Sequence, residues 1–307
     1  MMFDLTRIIE RHMNPASKLA AELQERSVRA REQQLRRAQY TSPEWLTVSA
    51  VALVGAPGTD LTDSIDDPLT ITGAIASAHA DVAGAVFTRV LVTDTGSGVR
   101  WSREPVEFTT FAGSNGHIAG YQGVWPRPSP YPLAATTQLQ VDFSNPVADA
   151  NLMYLTFCAI RHLPRPQFGD QVADAIRKRI RAGQEPVLKS FRIRVPFAGV
   201  NGEEFKGLES RITDDPMLVL GGQAHVSTAF ARVYSSNESA PTSRYALINA
   251  LFRNATPVAG SPLDNYQLWP CPLYVAAGGK IVADFLNGIN GAFVGVPFDA
   301  NFLCLTF

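Results

Sequence analysis

The sequence is short of the residues from which reaction centres are usually built. Its three cysteines, Cys158, Cys271 and Cys304, stand far apart and are odd in number, so they suit neither a clustered metal site nor a closed disulfide framework. Reduced, buried thiols are the expectation, which favours synthesis in a cytosol. Five histidines are scattered as His12, His79, His117, His162 and His225. Metal ligands must cluster, so packed, hydrogen-bonded imidazoles are expected instead. There is no His-Glu-x-x-His helix, no Gly-rich loop closing on Lys-Ser/Thr and no Gly-x-Ser-x-Gly elbow. Metalloprotease, nucleotide-phosphate and serine-hydrolase chemistry therefore have no anchor, and no cofactor and no catalytic residue are expected.

An excess of one charge is also missing. With 27 basic against 28 acidic residues the formal net charge is -1, so the chain lacks the electrostatic footprint of a nucleic-acid binder. Long apolar runs are absent too. The stretch of lowest charge, 285–307, is broken by Asn287, Gly288, Asn290, Gly291, Gly295, Pro297 and Asp299, which is a pattern of strands and turns. The first residues lack the basic-then-apolar layout of a secretory signal. Neither a signal peptide nor a transmembrane segment is expected.

What is present divides the 307 residues into four parts. Residues 1–40 are rich in Ala, Leu, Glu, Gln and Arg, strong helix formers, and read as a helical arm. Asn14-Pro15 splits it, because Asn caps a helix and Pro suits a first helical position. Leu19, Leu23, Val28 and Leu35 make a stripe too thin for a coiled coil, so the arm needs a surface to lie on, with Leu19, Leu23 and Leu35 as its contacts. The arm carries eight basic and five acidic residues, a balance of +3.

Residues 41–164 and 186–307 consist of Val, Thr, Phe and Ala runs punctuated by Gly, Pro, Asn and Asp, the signature of many short strands. Between them, 165–185 reads as a linking helix from Phe168 to Arg181. Val172, Ile176 and Ile180 recur at four-residue intervals, and Gly183 is placed to close the helix. Arg177, Lys178, Arg179 and Arg181 oppose the negative end of its dipole.

Four signposts recur in the same order in both β regions. Asp66-Asp67-Pro68-Leu69 matches Asp214-Asp215-Pro216-Met217, and Phe87-Thr88-Arg89-Val90 matches Phe230-Ala231-Arg232-Val233. Trp125-Pro126 with Pro132-Leu133 matches Trp269-Pro270 with Pro272-Leu273; Val141-Asp142-Phe143 matches Val282-Ala283-Asp284-Phe285 with one extra residue. An ordered series whose spacing drifts no more than loop insertions allow points to an internal duplication. Asp-Asp-Pro is a turn that launches a strand, since Asp accepts bonds from nearby amides and Pro fixes its own φ. Paired carboxylates also suit acid–base work or calcium, but their place ahead of Pro in both copies favours the turn. Trp101, Tyr121, Trp125 and Tyr131, with Tyr266, Trp269 and Tyr274, could line a sugar-binding face, although a repeated Trp suits a sandwich corner better.

The expected fold class is all-β: two tandem jelly-roll-like β-sandwich domains, with an N-terminal helical arm and a short linking helix. Units of about 120 residues with seven or eight strands suit this better than a solenoid or propeller, and an immunoglobulin-like sandwich is the main alternative.

This organisation, carried by the duplicated Asp-Asp-Pro and Trp-Pro/Pro-Leu signposts, resembles the double jelly-roll capsid proteins of bacterial viruses. The resemblance covers almost the whole chain. It implies a non-enzymatic virion structural protein, made in the host cytoplasm, whose two sandwiches form lateral contacts with copies of itself. A trimer within a larger assembly, an arm that tethers neighbours and contacts with other virion proteins are further implications. The loops are short for that family, so a neck, collar or minor head protein of a tailed phage is the alternative, with a carbohydrate-binding or adhesion module behind it. The apolar run Phe302-Leu303-Cys304-Leu305-Thr306-Phe307 is expected to complete a sheet, because such a run is sticky when exposed.

Overall fold

The computed structural model describes residues 40–52, 57–79, 84–112, 119–123, 130–144, 151–163, 168–196, 202–224, 229–238, 245–247, 251–254, 266–287 and 297–307. The expected arm, with Leu19, Leu23 and Leu35, lies outside these residues, as does Trp125. Tyr40, placed in the arm by composition, already opens the first strand.

Ten strands come first: β1 Tyr40–Ala52, β2 Pro57–Leu61, β3 Leu69–His79, β4 Gly84–Asp94, β5 Val99–Arg100, β6 Val106–Ala112, β7 Ala119–Gly123, β8 Tyr131–Leu133, β9 Leu139–Ser144 and β10 Asn151–Leu163. They form two sheets, ordered β1-β10-β3-β7 with β8 also on β3, and β2-β9-β4-β5 with β6 also on β4. The helix α1 Phe168–Arg181 follows. Then come β11 Val187–Val195, β12 Glu204–Glu209, β13 Met217–Ala224, β14 Ala229–Ser235, β15 Ala246–Leu247, β16 Phe252–Asn254, β17 Gln267–Val275, β18 Ile281–Asn287 and β19 Phe298–Thr306. Their sheets are β11-β19-β13-β16, with β17 also on β13, and β12-β18-β14-β15. All described pairings are antiparallel except β13 with β16.

Alternation decides which face of each strand is buried. In β9, Leu139, Val141 and Phe143 are buried and Gln140, Asp142 and Ser144 are half-buried; in β11, Phe191, Ile193 and Val195 point inward between exposed Arg192 and Arg194. One core unites Leu46, Val48, Ile71, Phe157 and Ala159 of the first sheet with Val90, Val92, Val141 and Phe143 of the second. A second core does the same with Phe191, Ile193, Val219 and Phe302 against Ala231, Val233, Ala283 and Phe285.

The two halves share one wiring scheme. In each, the first strand pairs with the last, the last with the third, the second with the penultimate, and the penultimate with the fourth. The agreement extends to single residues. The last-to-third ladder breaks register at one place in both halves, between Cys158 and Ala159 opposite Gly73 and Ile71, and between Val219 and Gly221 opposite Cys304 and Leu303. His162 N–H donates to the Pro68 carbonyl and Phe307 N–H to that of Pro216. Likewise Thr136 N–H bonds the Ile65 carbonyl and Gly278 N–H that of Thr213, while Thr95 N–H bonds Gln138 and Ser236 N–H bonds Lys280. Thr136 and Gly278 both hold a positive φ, 61° and 78°.

These ladders correct two of the sequence matches. Bonds at the strand ends place Asp94 with Ser235 and therefore Arg89 with Phe230, so Phe87-Thr88-Arg89-Val90 is two residues out of step with Phe230-Ala231-Arg232-Val233. Leu133 faces Leu69 as Val275 faces Met217, so Pro132-Leu133 is two out of step with Pro272-Leu273. A slip of two leaves every side chain on the same face, so burial pattern cannot detect it.

Helix α1 lies on the outer face of the β11-β19-β13 sheet, where Val172, Ile176 and Phe307 pack with Leu218, Tyr274 and Leu305. Ile180 departs from the expected buried stripe, with 51% of its surface exposed. The helix ends there: Gly183 N–H bonds the Ile180 carbonyl and Gln184 N–H that of Arg179, with Gly183 at φ 82°. This closure turns the chain off the sheet before Ile180 can reach it.

Candidate assembly surfaces

The duplicated carboxylates stand at turns. Asp66 and Asp67 form the bend before β3, and Asp214 and Asp215 the bend before β13, each followed by its proline, Pro68 or Pro216. Asp67 lies 3.9 Å from Arg161, whose guanidinium also stands 3.7 Å from the buried Glu44. Asp215 takes a 2.7 Å bond from Arg179 of α1, and the same guanidinium bonds the Phe307 carbonyl. In both halves the second aspartate thus ties the turn to the end of the last strand; in the second half it also ties down the helix.

Asp142 and Asp284 occupy matching places on β9 and β18 and act on the neighbouring edge strand. Asp142 accepts from Thr59 of β2 at 2.8 Å, and Asp284 from the Gly207 backbone of β12 at 2.7 Å. Asp284 is 2% exposed, and Arg232 at 2.8 Å balances its charge while lying over the Tyr245 ring. Burial, with the Asp284 carboxylate beside it, pushes the Tyr234 hydroxyl above its ordinary range. A buried carboxylate so supplied with donors is fixed in direction, which suits pinning the neighbouring strand. Phe143 and Phe285 are fully buried core residues beside these carboxylates. Arg89 lies opposite Glu107 of β6, and Phe87 opposite Thr109.

Sequence reasoning missed Asp94 and Ser235. Asp94 is wholly buried and accepts from Gly96 N–H, Ser97 and the Tyr131 hydroxyl; the Ser235 hydroxyl accepts from Asn237 N–H in the matching turn. The residues differ while the bond is the same, so no letter match could reveal it.

The halves meet along the outer face of the first sheet. The Trp45 ring meets Trp269 edge-on with centroids 5.3 Å apart, and Tyr154 meets Phe230 at 5.1 Å. Between these contacts the Thr47 and Thr156 hydroxyls bond each other at 2.8 Å. The seam therefore has aromatic ends and a polar middle. Among the described residues, the Trp45 Nε1 and the Tyr154 hydroxyl have no hydrogen-bond partner, and burial raises the Tyr154 pKa to about 12. Trp269 is a seam and core residue whose Nε1 donates to the Leu251 carbonyl, and Trp101 packs on Tyr131 and Phe157. Trp45 and Trp269 are buried, and Trp101 is half-buried.

Burial pushes the Cys158 and Cys271 thiols up to about 12 and raises that of Cys304 further, so none is a ready nucleophile. Among the described residues no group of three His, Cys, Asp or Glu side chains could hold a metal ion. No helix of the described residues is long and apolar enough to cross a membrane.

No family model matches the chain, and no curated protein does. Among solved structures it is similar to the N-terminal CBM22-1-CBM22-2 tandem domain of Paenibacillus barcinonensis Xyn10C, at 9% identity over 87% of this chain and 91% of that one, with a TM-score of 0.21. The STIV MCP gives 8% identity over 87% and 97%, with a TM-score of 0.23. The T=1 Penaeus vannamei nodavirus structure gives 8% over 87% and 99%, with 0.22. Likenesses this slight carry no argument, and the fold is read from the strand order itself.

Proposed function

We propose that the chain is a structural protein of a virus particle, built from two duplicated jelly rolls, which works by assembling with copies of itself and not by catalysis. The observation that carries this reading is the strand order. First-last-third and second-penultimate-fourth is the order of an eight-stranded jelly roll, and the chain contains it twice with matching bulges and turn bonds. Several of its aspartates fix turns and edge strands, as Asp67, Asp215, Asp142 and Asp284 illustrate. Two similar rigid blocks side by side can meet neighbours through repeated weak contacts that add by multivalency. A position in the shell suits this reading best, with a neck or minor head protein as the variant.

A glycan-binding role would require open aromatic faces, and the repeated Trp269 is buried, as is Trp45. Sedimentation of the full chain over a range of concentrations tests the proposal. Growth from a small oligomer into larger assemblies is the expected result. A monomer at every concentration that binds a glycan panel would overturn it.

A further inference from the structure

Matched positions in the two halves differ most in charge, and in opposite senses at two exposed corners. The stretch 177–194, comprising the end of α1 and most of β11, holds seven basic residues and one acidic. At its centre Ile180, Val187 and Leu188 are 51%, 54% and 51% exposed, beside exposed Lys178, Arg181 and Lys189. The helix end and the strand start lie at one end of the second half, because Arg179 bonds the carbonyl of Phe307, next to Thr306, the register partner of Val187. The register counterpart of 187–194 in the first half, 42–49, has one acidic residue and no Lys or Arg. Conversely, 57–70 in the first half holds four aspartates and no Lys or Arg, whereas its counterpart 205–218 has two basic and three acidic residues. Leu61, at the end of the edge strand β2, is 38% exposed within that acidic corner.

We infer that the basic, apolar-centred corner of α1 and β11 docks on the acidic corner at the β2–β3 turn of a second copy. This rests on the self-assembly reading above and adds the surface and its polarity. Three exposed aliphatic side chains in one corner are the kind of patch that marks an interface. The basic corner cannot pair with itself, since Lys178, Arg181 and Lys189 would meet their own images, and like charges set face to face are costly. The contact is therefore heterologous, one copy's second half against the next copy's first half, and such contacts close into rings or propagate. Edge geometry agrees. β11 keeps an unbroken nine-residue register with β19, whereas the edge strand β12 carries a register shift between Phe205 and Leu208 and β2 opens on Pro57. A regular, uninterrupted edge is open to a neighbour, a property β11 shares with β1, whose register with β10 is unbroken from Tyr40 to Ala52.

The test uses two full-length variants and sedimentation velocity. Lys178→Glu with Lys189→Glu cuts the net charge of 177–194 from +6 to +2 and leaves the acidic corner untouched; Ser64→Lys with Asp66→Lys cuts that of 57–70 from -4 to -1 and leaves the basic corner untouched. All four sites are exposed, and unchanged melting temperatures establish that each variant folds. Each variant alone should associate about tenfold more weakly than wild type, or worse, and wild-type association should weaken with added salt. An equimolar mixture should form heterodimers and stop there, because the untouched basic corner of one variant meets the untouched acidic corner of the other while the two altered corners have lost most of their charge. Wild-type assembly with unimpaired variants, or a mixture that forms no heterodimer, overturns the corners and leaves the assembly reading standing. A wild-type chain that stays monomeric overturns both.

Discussion

Thr62 and Ser210 hold the same post in the two halves: each buried hydroxyl accepts the backbone N–H that opens the penultimate strand, Leu139 N–H at 2.9 Å and Ile281 N–H at 3.0 Å. Each residue's own N–H returns a bond to the carbonyl of the same partner. Two chemically different residues thus make one reciprocal clamp between the β2–β3 turn and β9, and between the β12–β13 turn and β18. Exchanging them, Thr62→Ser and Ser210→Thr, should change stability little. Thr62→Val strands the Leu139 N–H in a buried site and should cost about 1–3 kcal/mol. Denaturant unfolding measures both; equal losses for Thr62→Ser and Thr62→Val would remove the hydroxyl from the explanation.

Thr136 pays for a left-handed backbone that its counterpart Gly278 adopts freely. A β-branched residue there is strained by about 1 kcal/mol or somewhat more. Thr136→Gly should therefore raise the melting temperature despite glycine's greater entropy in the unfolded chain, and Gly278→Ala should lower it. If Thr136→Gly destabilises, its hydroxyl contact with the Ala135 carbonyl outweighs the strain.

Among the described residues the Tyr154 hydroxyl in the seam has no hydrogen-bond partner, so within them it contributes a desolvation cost and no bond. Tyr154→Phe keeps the ring against Phe230 and should leave stability unchanged or raise it by up to about 1 kcal/mol. Tyr154→Ala, which removes the ring, should cost about 3–5 kcal/mol. A marked loss in the Phe variant would reveal a partner for the hydroxyl in solution.

His162 gives the fold a dependence on pH. Its Nε2 lies 2.8 Å from the Thr70 hydroxyl, and burial holds the imidazole below its ordinary 6.5. The unfolded chain then takes up the proton first as pH falls. The stability contribution is complete above about pH 6.5 and is lost as pH drops through the folded value. His162→Gln should flatten the fall in melting temperature on acidification; an unaltered pH profile would assign the fall to other groups.

Part of this architecture was legible in the sequence. Asp66-Asp67-Pro68 and Asp214-Asp215-Pro216 declare themselves because Pro and paired Asp are strong local signals, and both stand immediately before their strands. The helix from Phe168 to Arg181 also declared itself by its period and by Gly183. Register was not legible, because side-chain direction repeats every two residues and Phe-x-Arg-Val slides by two without changing its buried face. Functional substitution hid the rest: Thr62 with Ser210, Asp94 with Ser235 and Thr136 with Gly278 share a task and no letter. The Trp45–Trp269 seam depends on how distant strands meet, which local pattern does not encode.

The central claim is that two matched sandwiches in one chain exist to join copies into a particle. Electron cryomicroscopy of the purified full-length chain tests it most directly. The account predicts ordered rings or shells in which each copy contributes two similar blocks, with the second half of one copy against the first half of the next. A population of single, unassociated copies under all conditions would contradict it.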